Sequence, residues 1–141
     1  MGIREVDFAG EYFIKIPHDS DLLVSIRDAA EGLRIGAGVF TVIGALKKAT
    51  LYYYLQDEKR YWKNTFDTPL EIASGIGNIA SKDGETVVHC HVVLADKDGR
   101  CFGGHLAEGS LVFAGEAHLR AFRQNIRRKY DETTALNLMD I

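Results

Sequence analysis

TVVHCHVVLADKDGRCFGGHLAEG, residues 86–109, decides how this chain folds. Its first half is an apolar run rich in Val and bounded by turn residues, which predicts a buried or half-buried strand. Alternate residues of a strand share a face, so His89 and His91 point one way and Cys90 the other. Asp96 to Arg100 fits a three-residue hairpin loop, Lys97-Asp98-Gly99, with Gly99 in the left-handed conformation. Counting outward from that loop pairs His91 with His105 and His89 with Ala107. Directly opposed residues have Cβ atoms about 4.5–5.5 Å apart, and diagonal ones lie about 7–8 Å apart. All three imidazoles therefore converge. A loop one residue shorter or longer turns His105 to the other face. Gly103 and Gly104 mark either a bulge, which would break this register, or a close approach to the backbone.

Three imidazoles on one face form a site for a divalent transition metal, zinc first among them, with His89, His91 and His105 as ligands. A hydrogen-bonded histidine cluster is the alternative. Three protein ligands leave a fourth position for water or a substrate, an arrangement typical of catalytic zinc. Cys101 shares the face of His105 but stands opposite Ala95, too far along to join the same ion. Cys90 and Cys101 face opposite ways, so no disulfide between them is expected, and free thiols fit a reducing compartment.

Length and composition bound the rest. The 141 residues are enough for one domain, 1–141, with a real core. A net charge of −3 gives no overall electrostatic footprint for nucleic acid. No stretch is long and apolar enough to span a membrane, and the N-terminus, with acids and no apolar run, is not a secretory signal. A cytoplasmic protein is the expectation. Glu11 to Ile16 alternates as an opening strand, and His18 falls in the turn after it. Ser20 is the expected N-cap of a helix running to about Leu33, with Asp21 in its first turn and Gly32 near its end. Strands are expected at Gly36 to Ala45, Lys48 to Leu55, Arg60 to Phe66 and Leu70 to Ala80, then in the histidine hairpin and within Leu111 to Phe122. Residues Arg127 to Ile141 read as a polar tail packed along the surface. One helix and a dominantly antiparallel sheet, with no βαβ rhythm, make the fold α/β of the α+β type.

The order of landmarks resembles the PPC domain, the plants and prokaryotes conserved domain, in its prokaryotic stand-alone form. Ile43-Gly44-Ala45, Pro69 to Ile72, Gly77-Asn78, His89 to His91, Asp98-Gly99, Gly103 to Leu106 and Asp131 to Leu136 carry the resemblance across nearly the whole chain. It implies a compact fold with a strongly bent, mostly antiparallel sheet and a homotrimer. In some prokaryotic members it implies a metal ion on the residues corresponding to His89, His91 and His105. It also brings the DNA-binding description attached to such proteins. Plant relatives carry an AT-hook; this chain has none.

Two functions follow. The first is a binding or regulatory protein, with nucleic acid as a partner only if Arg120, Arg123, Arg127, Arg128 and Lys129 form a basic face rather than a solvated one. The second is an enzyme in which a metal-bound water attacks a small molecule. Glu71 is then the candidate general base and Glu108 the next; a structural carboxylate holding a histidine N–H is the other role open to Glu71. Tyr52, Tyr53, Tyr54, Tyr61 and Trp62 either cover the sheet or join subunits. Gly36-x-Gly38 precedes no helix, so no dinucleotide fingerprint is present.

Overall fold

In the computed structural model, which describes residues 1–141, the chain order is β1 (Phe8–Ile16), α1 (Leu22–Gly32), β2 (Gly38–Leu55), β3 (Arg60–Phe66), β4 (Leu70–Lys82), β5 (Glu85–Ala95), β6 (Cys101–Leu106), β7 (Leu111–Phe122), β8 (Arg128–Asp131) and β9 (Leu136–Met139). The first seven strands form one sheet in which every pairing is antiparallel; β8 and β9 form a separate hairpin. This is the α+β architecture that the patterning predicts.

β2 organises the sheet. The sequence predicts two strands here, parted near Lys47; the structure has one continuous strand of 18 residues. Its first half lies between β7 and β4, and its second half lies between β3 and β6. The neighbours change between Leu46 and Ala49, past an irregularity at Gly44 where the pairing with β4 shifts register. Gly44 has φ +139°, and a Cβ there would fall 2.2 Å from the carbonyl oxygen of Ala114. Only glycine tolerates that conformation and that approach. Because β2 pairs with β4 at one end and β6 at the other, the strands β2, β4, β5 and β6 close into a ring.

Leu22, Ile26 and Ala30, at helical spacing, are the buried stripe of α1. They join Ile16, Val42, Leu51, Cys90, Leu94, Leu106 and Leu119 in one apolar cluster. Each such fully buried Leu or Ile side chain contributes about 1.5–3 kcal/mol. The helix start differs from expectation by one residue. Asp21, not Ser20, is the N-cap: its Oδ1 accepts from Val24 N–H at 3.0 Å. Its Oδ2 accepts from Gly109 N–H at 2.6 Å and Ser110 N–H at 3.1 Å, which ties the helix to the loop after β6. A carboxylate reaches all three donors; the shorter Ser20 hydroxyl instead donates to the Pro17 carbonyl. After Gly32 it is Arg34 that takes the left-handed conformation, at φ +55°.

The segment expected as a surface tail is also different. Asp131 accepts from the Thr134 N–H and hydroxyl, which closes a tight turn, and β8 and β9 pair across it. Ser81 accepts no part in that hairpin but donates its N–H to the Ile126 carbonyl, docking the start of the hairpin on the end of β4.

Candidate metal centre

The loop between β5 and β6 has the expected chemistry. Gly99 N–H donates to the Asp96 carbonyl, and Gly99 has φ +77°. Asp96 Oδ1 accepts from the N–H groups of Asp98 and Arg100, each at 2.9 Å, so the side chain braces the turn from within. The register that follows pairs His91 with His105 and Ala95 with Cys101, without a bulge. Gly103 and Gly104 are therefore sites of close approach. A Cβ on Gly103 would stand 2.3 Å from the Val92 carbonyl oxygen.

Cys90 is buried on the inner face, and the three histidines stand on the outer one. Their ring centroids are 5.1 Å (His89–His91), 4.8 Å (His89–His105) and 5.5 Å (His91–His105) apart. One nitrogen from each ring lies within 4.8 Å of the others. An ion bound tetrahedrally through imidazole needs nitrogens about 3.4 Å apart. Small rotations of the rings close that gap, so the residues present fit a divalent ion. Their electrostatics fit too. Burial, with help from Arg128 and His91, holds the His89 ring down to about 4; burial, then His89 and His91, does the same to His105. Both rings are neutral at physiological pH, as ligands must be.

The neighbouring strands supply the walls. Ile76 and Asn78 of β4 pair with His91 and His89, and Tyr52 of β2 pairs with His105. The Tyr52 ring stacks on His105 at 6.3 Å, and Tyr61 of β3 leans on the same ring at 5.5 Å. Burial and the nearby Tyr54 push the Tyr61 hydroxyl up, against the pull of Arg128. The β8–β9 hairpin forms the far wall, with its turn held by the Tyr54 hydroxyl, which donates to the Thr134 carbonyl. Tyr52, Tyr54, Tyr61 and the β8–β9 hairpin line a hollow of about 750 Å³ that opens onto the histidines.

Arg128 is the residue that sequence reasoning placed elsewhere. It reads as part of a solvated basic run, yet β8 turns it into the cavity. Its Nη2 donates to Asn78 Oδ1 at 2.6 Å and reaches His89 Nδ1 at 3.4 Å, while Nη1 donates to the Asn137 carbonyl at 2.9 Å. Burial lowers its proton affinity. The signal available in the sequence was the alternation of Arg128 to Asp131 ahead of a turn-forming Asp-x-x-Thr. The rest of the basic run is divided. Arg120 lies 3.6 Å from the Glu11 carboxylate and over the Phe8 ring, and Arg123 donates to the Phe8 carbonyl.

The two carboxylates singled out in the sequence are not brought to the histidines within the chain. Glu71 pairs with Ala95, while Ile76 is the β4 residue beside His91. Five residues of strand separate them, roughly 16 Å. Glu71 lines a different hollow, with Lys47, Asp96 and Phe113. Glu108 pairs with Arg27 at 2.8 Å. His18 sits in its predicted turn and contacts the Phe113 carbonyl.

Residues 4–123 match the family model of the Plants and Prokaryotes Conserved (PCC) domain, also abbreviated PPC. The chain belongs to this family. Among solved structures, a metal-containing protein from Archaeoglobus fulgidus superposes with a TM-score of 0.93 at 34% identity, covering 99% of each chain. A PPC protein from Pyrococcus horikoshii superposes with a TM-score of 0.90 at 32% identity, covering 98% of this chain and 97% of that one. A candidate DNA-binding protein from Bacteroides thetaiotaomicron follows at 0.88 and 25% identity, covering 96% of each. No curated protein matches the sequence. The PPC domain here has no helix long and apolar enough to cross a membrane.

Proposed function

We propose that this PPC protein is a divalent-metal protein, zinc by its donor set, in which His89, His91 and His105 hold the ion and the adjoining cavity receives a small molecule. It serves as a binding or regulatory module, and the cytoplasm suits its free thiols. The observation that carries the reading is the convergence of three imidazoles, two of them held neutral, on the wall of a cavity of about 750 Å³. The Archaeoglobus relative's description as metal-containing supports it. When bound, the ion supplies Lewis acidity at that wall. No Asp or Glu of this chain lines the cavity, so no carboxylate stands ready as a general base. That favours binding over hydrolysis, and it weakens the metal-dependent enzyme alternative built on Glu71.

A homotrimer fits the same face. Phe13, Val39, Ile43, Ile76 and Val93 are all more than two-fifths exposed. Cross-strand pairing puts Phe13, His118, Thr41, Ile76 and His91 in one row across the outer surface. An apolar band of this kind is suited to a subunit interface.

Nucleic acid is the second reading, favoured by the Bacteroides relative's description. The divided basic run offers it little, and any affinity it does provide must fall steeply between 50 and about 200 mM salt.

Elemental analysis of the purified protein tests the main reading, with His91→Ala as the comparison. About one zinc per chain is expected in the parent, and little in the variant. Equal zinc in both would end it.

A further inference from the structure

We propose that the cavity beside the three histidines is a receptor for a small monocarboxylate with a short apolar body, bound between the metal and the Arg128 guanidinium. This deepens the metal-site reading and rests on it.

The first ground is uncompensated charge. Three neutral imidazoles leave a divalent ion with its full charge. The cavity wall adds Lys82 and Arg128 and contributes no Asp or Glu. Nor does Arg128 find a carboxylate elsewhere: its three side-chain partners are an amide oxygen, a main-chain carbonyl and an imidazole nitrogen. A cation beside a half-buried guanidinium in one hollow is stabilised by an anion that faces both.

The second ground is the contact between Arg128 and His89. Arg128 Nη2 can donate to His89 Nδ1 only while that nitrogen is unprotonated and free. If the metal takes Nδ1, the lone pair is used. If it takes Nε2, the proton of the neutral ring moves to Nδ1, and the two groups face each other as donors. Either way, loading the site deprives Arg128 of this acceptor and frees an N–H toward the cavity.

The walls choose among anions. Val87, Val88, Ala135, Leu136 and Leu138 surround the polar end with apolar surface. A single planar guanidinium matches a carboxylate. Phosphate or sulfate would call for further donors, and the wall offers no glycine nest and no helix N-terminus.

Cobalt-substituted protein gives the readout, because ligand-field absorption reports a new metal ligand without any assay of turnover. Butyrate is the probe, with butyramide as its neutral counterpart and sulfate as the tetrahedral anion. The expected result is a saturable spectral change with butyrate and none with butyramide. Arg128→Gln should take up cobalt no more weakly than the parent, since it removes a cation and a competing contact from beside His89, and, measured on the cobalt-saturated protein, should lose tenfold to a hundredfold in butyrate affinity, the weight of a charge-assisted bond. Arg128→Lys should fall between the two. Since Arg128 also braces the β8–β9 hairpin, the butyrate-to-butyramide contrast in the parent protein stands independently of any variant. Equal response to butyrate and butyramide, an Arg128→Gln affinity equal to the parent's, or sulfate binding tighter than butyrate would each overturn the proposal. Failure of the parent to take up cobalt would overturn the metal-site reading instead.

Discussion

Gly103→Ala and Gly104→Ala should have very different consequences although the two glycines are adjacent. A Cβ on Gly103 would lie 2.3 Å from the Val92 carbonyl oxygen and 3.3 Å from Val93 Cα, all backbone of β5. Ordinary contact needs about 3.4 Å, so β6 must move away from β5 by about 1 Å. That movement loosens the ladder two rungs from His91–His105. One or two weakened ladder bonds, plus strain, come to about 2–4 kcal/mol. For a chain of this length that is roughly 6–12 °C in melting temperature. A Cβ on Gly104 would meet Tyr52 O at 3.1 Å and Leu51 Cβ at 3.4 Å, contacts that a few tenths of an ångström relieve. Its cost should stay near 1 kcal/mol or below. Thermal unfolding of the metal-free proteins measures the first difference, and zinc competition with a chromophoric chelator measures the second. Gly103→Ala should bind zinc at least about tenfold more weakly, since it displaces a ligand strand. If Gly103→Ala melted within about 2 °C of the parent and bound zinc equally, the tight seating of β6 on β5 would not be what positions His105.

Two further expectations follow. Asp21→Ala removes a helix cap and both anchors of the loop after β6; chemical denaturation should give a loss of about 2–3 kcal/mol, whereas a loss under about 0.5 kcal/mol would show that the clamp is idle. The metal-free protein should lose stability on acidification. His89 and His105 sit near 4 in the folded chain against an ordinary value of 6.5, so the unfolded chain binds more protons between those values. Stability therefore falls as pH drops from 6.5 toward 4, by ~1 kcal/mol per ring after discounting for solvent around half-exposed groups. Melting curves at pH 7 and 5 check this against a His89→Gln, His105→Gln variant; parallel behaviour of the two proteins would refute it.

The hairpin carrying the histidines was legible because its information is local. Alternation fixed the faces, and Asp96 and Gly99 fixed the loop, so register followed. Three features depend on distant partners and were not legible. The continuity of β2 rests on partners remote in sequence, β7 and β4 along its first half and β3 and β6 along its second. The capping role of Asp21 depends on donors at Gly109 and Ser110. Arg128 reads as one cation in a run until the β8–β9 turn aims it at His89, 39 residues away in sequence. The distance of Glu71 from the histidines within the chain has the same cause. Nothing in Pro69 to Ile72 tells which β4 residues meet the histidines, and cross-strand pairing selects Ile76 and Asn78.

A crystal structure of zinc-loaded protein, with anomalous data collected on both sides of the zinc edge, tests the three-histidine centre most directly. One peak per chain is predicted, about 2.0–2.1 Å from a nitrogen of each of His89, His91 and His105. A peak bound by other residues, or three rings turned apart with no anomalous density between them, would contradict it.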